Sequence, residues 1–280
     1  LGCLFKCEFC MINIINRTDN DPNKASSSFN KFRYWEPEFT IKQLDYLADK
    51  GVKQIKIADE LWVLKPKHFQ KLCDLIIERG HDFNFWAYSR IDTVKPAYLE
   101  KLKAAGVNWL ALGIEAGSQE IRREITKGKF EDINIRDVVR MIQEAGINVG
   151  ANYIFGLGHD TWNTMQETLN LALELNAENS NIYCATALPG SPLYLKAKNE
   201  GWYLPQDNYA EYGFLSYDHI PSRTYALEAK DVVKFRDYAF HVLFENPRFL
   251  NMIHNKFGPK AVDNIKRMTS IKLKRKILED

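Results

Sequence analysis

Four times in the first 160 residues a helical segment ends on a small or polar residue and Gly, and a short apolar run follows within two or three residues. The four stretches are YLADKGVKQIKIADE, LIIERGHDFNFWAYSR, KLKAAGVNWLALGIE and MIQEAGINVGANYIFG, and ALELNAENSNIYCATALPG repeats the plan with Asn176 near the turn. Glycine after the last helical turn takes the left-handed conformation that lets the chain double back. Strands are therefore expected to begin near Lys53, Phe83, Asn108, Asn148 and Asn181, spaced by about 24 to 41 residues, the length of a βα unit. Runs such as WLALGI and NYIF are apolar at nearly every position, as parallel strands covered on both faces are. The expected fold class is α/β with an internal parallel sheet. Periodicity alone leaves a barrel and an open doubly wound sheet both standing.

Past Gln206 the pattern changes. An aromatic, turn-rich stretch, NYAEYGFLSYDHIPSRTY, leads to helical segments near Ala229 to Phe244 and Pro247 to Phe257, an extension packed on the core. The expected organisation is a core over residues 1–205 and a helical C-terminal extension over 206–280. The segment Tyr209 to Tyr225 suits either a lid or a plain packed extension.

With 38 Lys plus Arg against 36 Asp plus Glu in 280 residues, the net charge of +2 supplies no field that would favour nucleic acid or an anionic membrane. The basic tail (Lys266, Arg267, Lys272, Lys274, Arg275, Lys276) reads as a solvated helix face. No apolar run reaches the roughly 18 to 20 residues of a membrane span and no leader is recognisable, so a cytoplasmic protein is expected. Five cysteines, an odd number, argue against a disulfide scaffold and for reduced thiols.

Three of those cysteines stand in the opening LGCLFKCEFC, as Cys3, Cys7 and Cys10 in a C-x3-C-x2-C pattern. A tetrahedral zinc site uses a second pair of Cys or His, and none follows. Cys73 and Cys184 sit in helix and strand patterns as small core residues, and the six histidines are isolated. Cys7-Glu8-Phe9-Cys10 is formally a redox C-x-x-C, which leaves Cys3 unexplained. Three thiolates on one loop suit a cubane iron-sulfur cluster whose fourth iron is left to a non-protein ligand, whereas an electron carrier normally supplies a fourth Cys.

The C-x3-C-x2-C pattern with Phe9 before the last Cys resembles the cluster loop of the radical S-adenosylmethionine superfamily, over roughly residues 1 to 200. The resemblance implies a partial (βα)6 TIM-like barrel in which the five strands are the second to sixth. The first strand, and in cobalamin-associated members a cobalamin-binding domain, would then lie upstream of Leu1. It implies a 4Fe-4S cluster on Cys3, Cys7 and Cys10, and S-adenosylmethionine cleaved to a 5′-deoxyadenosyl radical that removes hydrogen from a small-molecule substrate. A one-electron reductant such as flavodoxin or ferredoxin would serve it. The strand ends carry the remaining expectations. After IKIA, Asp59-Glu60 presents Glu60 for the methionyl amino group. After FWAY, Ser89 or Arg90 would face cofactor or substrate, an ion pair of Arg90 with Asp92 being the alternative. LALGIEAGS supplies Glu115, Gly117 and Ser118 for the ribose, with Lys127 or Arg122 as carboxylate partners. NYIFG supplies Asn152, Ile154 and Gly156 for the adenine, and the ATALPGSPLY loop brings Ala187. The stretches SRIDTV, IEAGS and LPGSPLY look most like cobalamin-associated members, many of which methylate unactivated carbon. A non-enzymatic iron-sulfur carrier and a metal-stabilised binding module are the alternatives from other classes.

Overall fold

The computed structural model describes residues 1–126 and 133–279 of the chain. Five strands form one sheet: β1 (Gln54–Lys56), β2 (Asn84–Arg90), β3 (Val107–Glu115), β4 (Asn148–Phe155) and β5 (Asn179–Cys184). They are parallel, and each pairs with the next in sequence, in the order β1-β2-β3-β4-β5. A doubly wound sheet reverses its order at a switch point. Strictly sequential order with a helical crossover after each strand is the topology of a (βα) barrel, here a partial one. The ambiguity left by periodicity is thereby resolved.

The crossovers are α1 (Pro37–Asp49), which precedes β1, then α2 (Pro66–Arg79), α3 (Pro96–Ala104), α4 (Gln119–Thr126) with α5 (Ile135–Glu144), and α6 (Trp162–Leu175); α7 (Pro192–Asn199) follows β5. Proline opens α1, α2, α3 and α7, where its fixed φ suits the first turn and its missing N–H is not needed. The turns anticipated after the helices all have positive φ: Gly51, Gly80, Gly106, Gly146 and Asn176. The longest spacing, between β3 and β4, is filled by two helices rather than one.

The internal-sheet expectation holds best for β3 and β4. In β2 burial alternates, with Phe85, Ala87 and Ser89 buried and Trp86 and Tyr88 half-buried. β1 is only three residues long, with Gln54 and Lys56 exposed. Trp86 pairs in register with Trp109, their rings stack at 5.0 Å, and a side chain at Gly150 would come within 3.0 Å of the Trp86 ring.

The chain divides into two compact units. One comprises Leu1–Leu4, Lys31–Ile114 and Asp132–Asn152; its buried residues include Phe69, Leu72, Cys73, Phe85, Leu102 and Leu110. The other comprises Phe5–Asn30, Glu115–Glu131 and Tyr153–Asp280. In this second unit α8 (Ala229–Phe244) packs on β5 and α6, with the Phe155 and Phe235 rings edge to face at 5.1 Å. Helices α9 (Pro247–Phe257) and α10 (Pro259–Thr269) follow. The aromatic segment is stitched down: Ser222 N donates to Ala185 O at 2.9 Å, Tyr225 N to Gly158 O at 2.9 Å, and Thr224 Oγ1 to Asp160 O at 2.8 Å. It is a packed extension on the loops after β4 and β5.

The basic tail departs from the sequence reading. Lys266 and Arg267 lie on α10, but Arg275 is 3% exposed, not solvated. Its Nε and Nη2 donate to Asp237 at 3.0 and 3.1 Å, and its Nη1 donates to the carbonyls of Phe214 and Ser216. Burial raises the Asp237 carboxyl, yet Arg275 and Arg236 hold it below its ordinary range. Removing Arg275 would leave Asp237 with Arg236 alone and the carbonyls of Phe214 and Ser216 without this donor. Arg275→Ala should lower unfolding stability by about 3 kcal/mol, and Arg275→Lys should recover little of it because one ammonium cannot serve the carboxylate and both carbonyls. Urea unfolding of the two variants checks this.

Candidate active site

In the first unit, the loop after β1 carries Glu60, whose Oε2 accepts from Gly2 N at 3.1 Å, one residue before Cys3. The acid predicted for the cofactor amino group is thus tied to the start of the cysteine loop. At the end of β2, Ser89 is buried and its hydroxyl meets Thr93 Oγ1 at 2.8 Å. Arg90 forms a two-point pair with Asp92, Nε to Oδ1 and Nη2 to Oδ2, both 2.8 Å. Of the two readings for Arg90, the geometry bears out the ion pair. Asn152 Nδ2 donates to Leu112 O at 3.0 Å, which holds its side chain against the end of β3.

In the second unit, Glu115 ends β3 with φ +68°, a left-handed backbone that only Asn176 shares among the described non-glycine residues. Such a conformation costs a glutamate about 1 kcal/mol or more and persists only where surroundings enforce it. The enforcement is visible just after it. Gly117 N donates to Thr168 Oγ1 at 2.9 Å, and a Cβ on Gly117 would stand 2.4 Å from Glu167 O. Arg122, considered above as a carboxylate partner, donates from Nη1 to Ala116 O and Gly117 O at 2.7 and 2.6 Å, so its guanidinium braces this turn. Ser118 is buried, and its Oγ lies 3.5 Å from Ile121 N. Lys127 lies outside the described residues.

Ile154 and Ala187 belong to one buried cluster with Ala116, Ile121, Ile125, Leu157 and Leu193, and Phe9 packs against it. Gly156, with φ +80°, was expected to admit a flat ring. A Cβ there would lie 2.5 Å from Val232 on α8, so the side on which a Cβ would stand is filled by this helix. Two cavities of the second unit, of about 290 and 530 Å³, are lined by α8, α10 and their neighbours and touch none of the predicted site residues.

The cysteines divide sharply by environment, and none is in a disulfide. Cys73 and Cys184 are buried, and burial pushes both thiols up to about 12, unsuited to thiolate chemistry. Cys3, Cys7 and Cys10 are half-buried. Cys10 N donates to Cys7 O at 3.2 Å, a tight turn between the last two. The turn is moored within its unit: Glu8 N donates to Ile125 O, Leu193 N donates to Glu8 O, and Ser26 Oγ donates to Cys10 O. Among the described residues no three His, Cys, Asp or Glu side chains stand together in a metal-binding arrangement. The fit to a three-thiolate cluster therefore rests on the donor set: three soft, half-buried thiols, of which Cys7 and Cys10 flank a fixed turn, against two that are buried.

Sequence reasoning missed Asp160, which is 1% exposed. Its Oδ2 accepts from Gly156 N and Leu157 N at 2.9 and 3.0 Å and its Oδ1 from Thr164 Oγ1 at 2.7 Å, which shapes the loop after β4. The signal was present as Asp-Thr-x-x-Thr before α6, whose Thr161 and Thr164 form a reciprocal cap.

An ordered βα series whose strand ends carry Glu60, Arg90 and Glu115, with three accessible thiols ahead of it, defines the class that the resemblance implies. A model of the Radical SAM superfamily matches residues 1–172, and the chain belongs to that superfamily. Over 195 residues it is 27% identical to an uncharacterized methyltransferase of Pyrococcus horikoshii, covering 69% of this chain and 39% of that protein. Over 220 residues it is 24% identical to the anaerobic magnesium-protoporphyrin IX monomethyl ester cyclase of Cereibacter sphaeroides, covering 77% and 33%. The cobalamin-dependent S-adenosylmethionine radical enzyme OxsB, with aqua-cobalamin bound, superposes with a TM-score of 0.62 at 15% identity over 96% of this chain and 44% of that one. At that identity the likeness concerns the fold. The chain spans a third to under half of the length of these proteins. Among the described residues no helix is long and apolar enough to cross a membrane.

Burial pushes the Asp160 carboxyl from 3.8 up to about 6, opposed by its three donors. An acid raised in the folded state contributes stability that is full below the unfolded value and is lost as pH climbs through the folded one. Asp160→Asn should therefore destabilise by about 1–3 kcal/mol through mismatched donors, and the gap to wild type should narrow from pH 4 to pH 6. Denaturant midpoints across that range check it; a gap constant with pH would show that Asp160 does not titrate there.

Proposed function

We propose that the chain is the catalytic core of a radical S-adenosylmethionine enzyme acting on a small molecule, with residues 1–205 as the core and 206–280 as its helical extension. The observation that carries this reading is the C-x3-C-x2-C set of half-buried thiols, with Cys7 and Cys10 on a moored turn, within a family match that covers residues 1–172. Cys3, Cys7 and Cys10 would hold a 4Fe-4S cluster, which, when bound and reduced, supplies the electron that cleaves S-adenosylmethionine to methionine and a hydrogen-abstracting 5′-deoxyadenosyl radical.

The chain's own part is recognition and exclusion. Glu60 accepts hydrogen bonds from the methionyl ammonium. Ser89 lines the same side, and Arg90, neutralised by Asp92, contributes a fixed wall instead of an open fork. Glu115 and Ser118 bind the ribose hydroxyls, the strained backbone at Glu115 aiming its carboxylate, and Gly117 keeps the turn tight. Asn152 and Ile154, with Ala187 and the turn at Gly156, bound the adenine, and Phe9 seals the cluster turn from water. Electrons would come from a flavodoxin or ferredoxin. A relative named as a methyltransferase and a neighbour with bound cobalamin support cobalamin-dependent methyl transfer as the class of reaction.

Protein reconstituted without oxygen from iron and sulfide should release 5′-deoxyadenosine from S-adenosylmethionine and dithionite. Cys3→Ala, Cys7→Ala and Cys10→Ala should each lose that product and most bound iron, while Cys73→Ala keeps its iron. A cluster that yields no 5′-deoxyadenosine would indicate an electron carrier, and one zinc without sulfide a metal-stabilised module.

A further inference from the structure

Between Cys7 and Cys10 stands Glu8, and its carboxylate Oε1 lies 3.0 Å from the Lys196 ammonium on α7. Both side chains are largely sheltered, at 23% and 22% exposure, so this pair is not a screened surface contact. The ammonium also faces two rings, Tyr225 at 5.0 Å and Trp202 at 6.0 Å. A Cβ on Gly158 would stand 2.8 Å from Lys196 Nζ, so this glycine leaves room for the ammonium. Tyr225 N donates to Gly158 O, and the Tyr225 ring also meets His159, which lies 3.7 Å from Glu124. One lysine thus joins the cysteine turn, the loop after β4, α7 and the C-terminal extension, all within the second unit.

We propose that Lys196 is a positioning residue for the iron-sulfur group: it clamps the Cys7–Cys10 turn through Glu8 and supplies the positive charge that balances Glu8 beside the cluster. The inference rests on the reading that Cys3, Cys7 and Cys10 hold that cluster. Three anchors then act on one residue of the turn, since Glu8 also bonds through its amide to Ile125 O and through its carbonyl to Leu193 N. With the pair intact the local charge is neutral. Removing the ammonium would leave an unbalanced carboxylate on the residue next to Cys7, which disfavours adding an electron to a cluster held there; removing the carboxylate would leave a cation, which favours it. A purely structural role has no such antisymmetry, because either loss would loosen the same turn.

The test is the midpoint potential of the reconstituted cluster, read by electron paramagnetic resonance during a redox titration of the whole chain. Lys196→Met should shift it to more negative values and Glu8→Gln to more positive ones. The double variant should return toward wild type, and Lys196→Arg should stay close to it. Shifts of the same sign in both single variants, no shift in either, or an Arg variant that behaves like Met would overturn the proposal. Failure of the wild-type chain to assemble any cluster would instead overturn the functional reading, and this inference with it.

Discussion

Parallel pairing in strict sequence order is the constraint on which the rest depends. It obliges every strand to hand the chain to its following loop at the carboxyl end, beside the end of its neighbour. Glu60, Arg90, Glu115 and Gly156 belong to four different βα units, each at or shortly after the carboxyl end of its strand. The fold makes these residues comparable, and the local chemistry then differentiates them. Arg90 is neutralised by Asp92, Glu115 is held in a strained backbone, and Gly156 is covered by Val232.

Much of this is legible in the chain because it is local. A glycine after a helix, a proline at its start and an unbroken apolar strand are each decided within ten residues, and the five strands fall where those signals put them. What local signals do not decide is which distant element fills a space. Gly156 reads as a position where backbone can be approached closely, and only the packing of α8 shows that Val232 fills the side where a Cβ would stand. Arg275 reads as one more tail cation until Asp237, from a helix some forty residues earlier, turns it into a buried partner. Arg122 reads as a carboxylate partner in the sequence, and the structure adds the bonds that its guanidinium gives to the carbonyls of Ala116 and Gly117.

The candidate site divides in the same way. Cys3, Cys7 and Cys10 are recognisable from spacing alone, and the structure adds the contrast with Cys73 and Cys184, whose burial raises both thiols out of the useful range. Glu8 carries no signal, because an acid between two cysteines is equally at home in solvent. Its three moorings come from α4 and α7, elements more than a hundred residues away. Asp160 is an intermediate case: its capping pattern was readable, its burial was not.

The central claim is that three cysteines leave one iron of the cluster for S-adenosylmethionine. Electron-nuclear double resonance on the reduced, reconstituted protein with S-adenosylmethionine labelled with nitrogen-15 in the methionyl amino group tests it most directly. The account predicts a resolved coupling between the label and the cluster spin, lost in Cys10→Ala. A reduced 4Fe-4S cluster that shows no such coupling at saturating S-adenosylmethionine would contradict it.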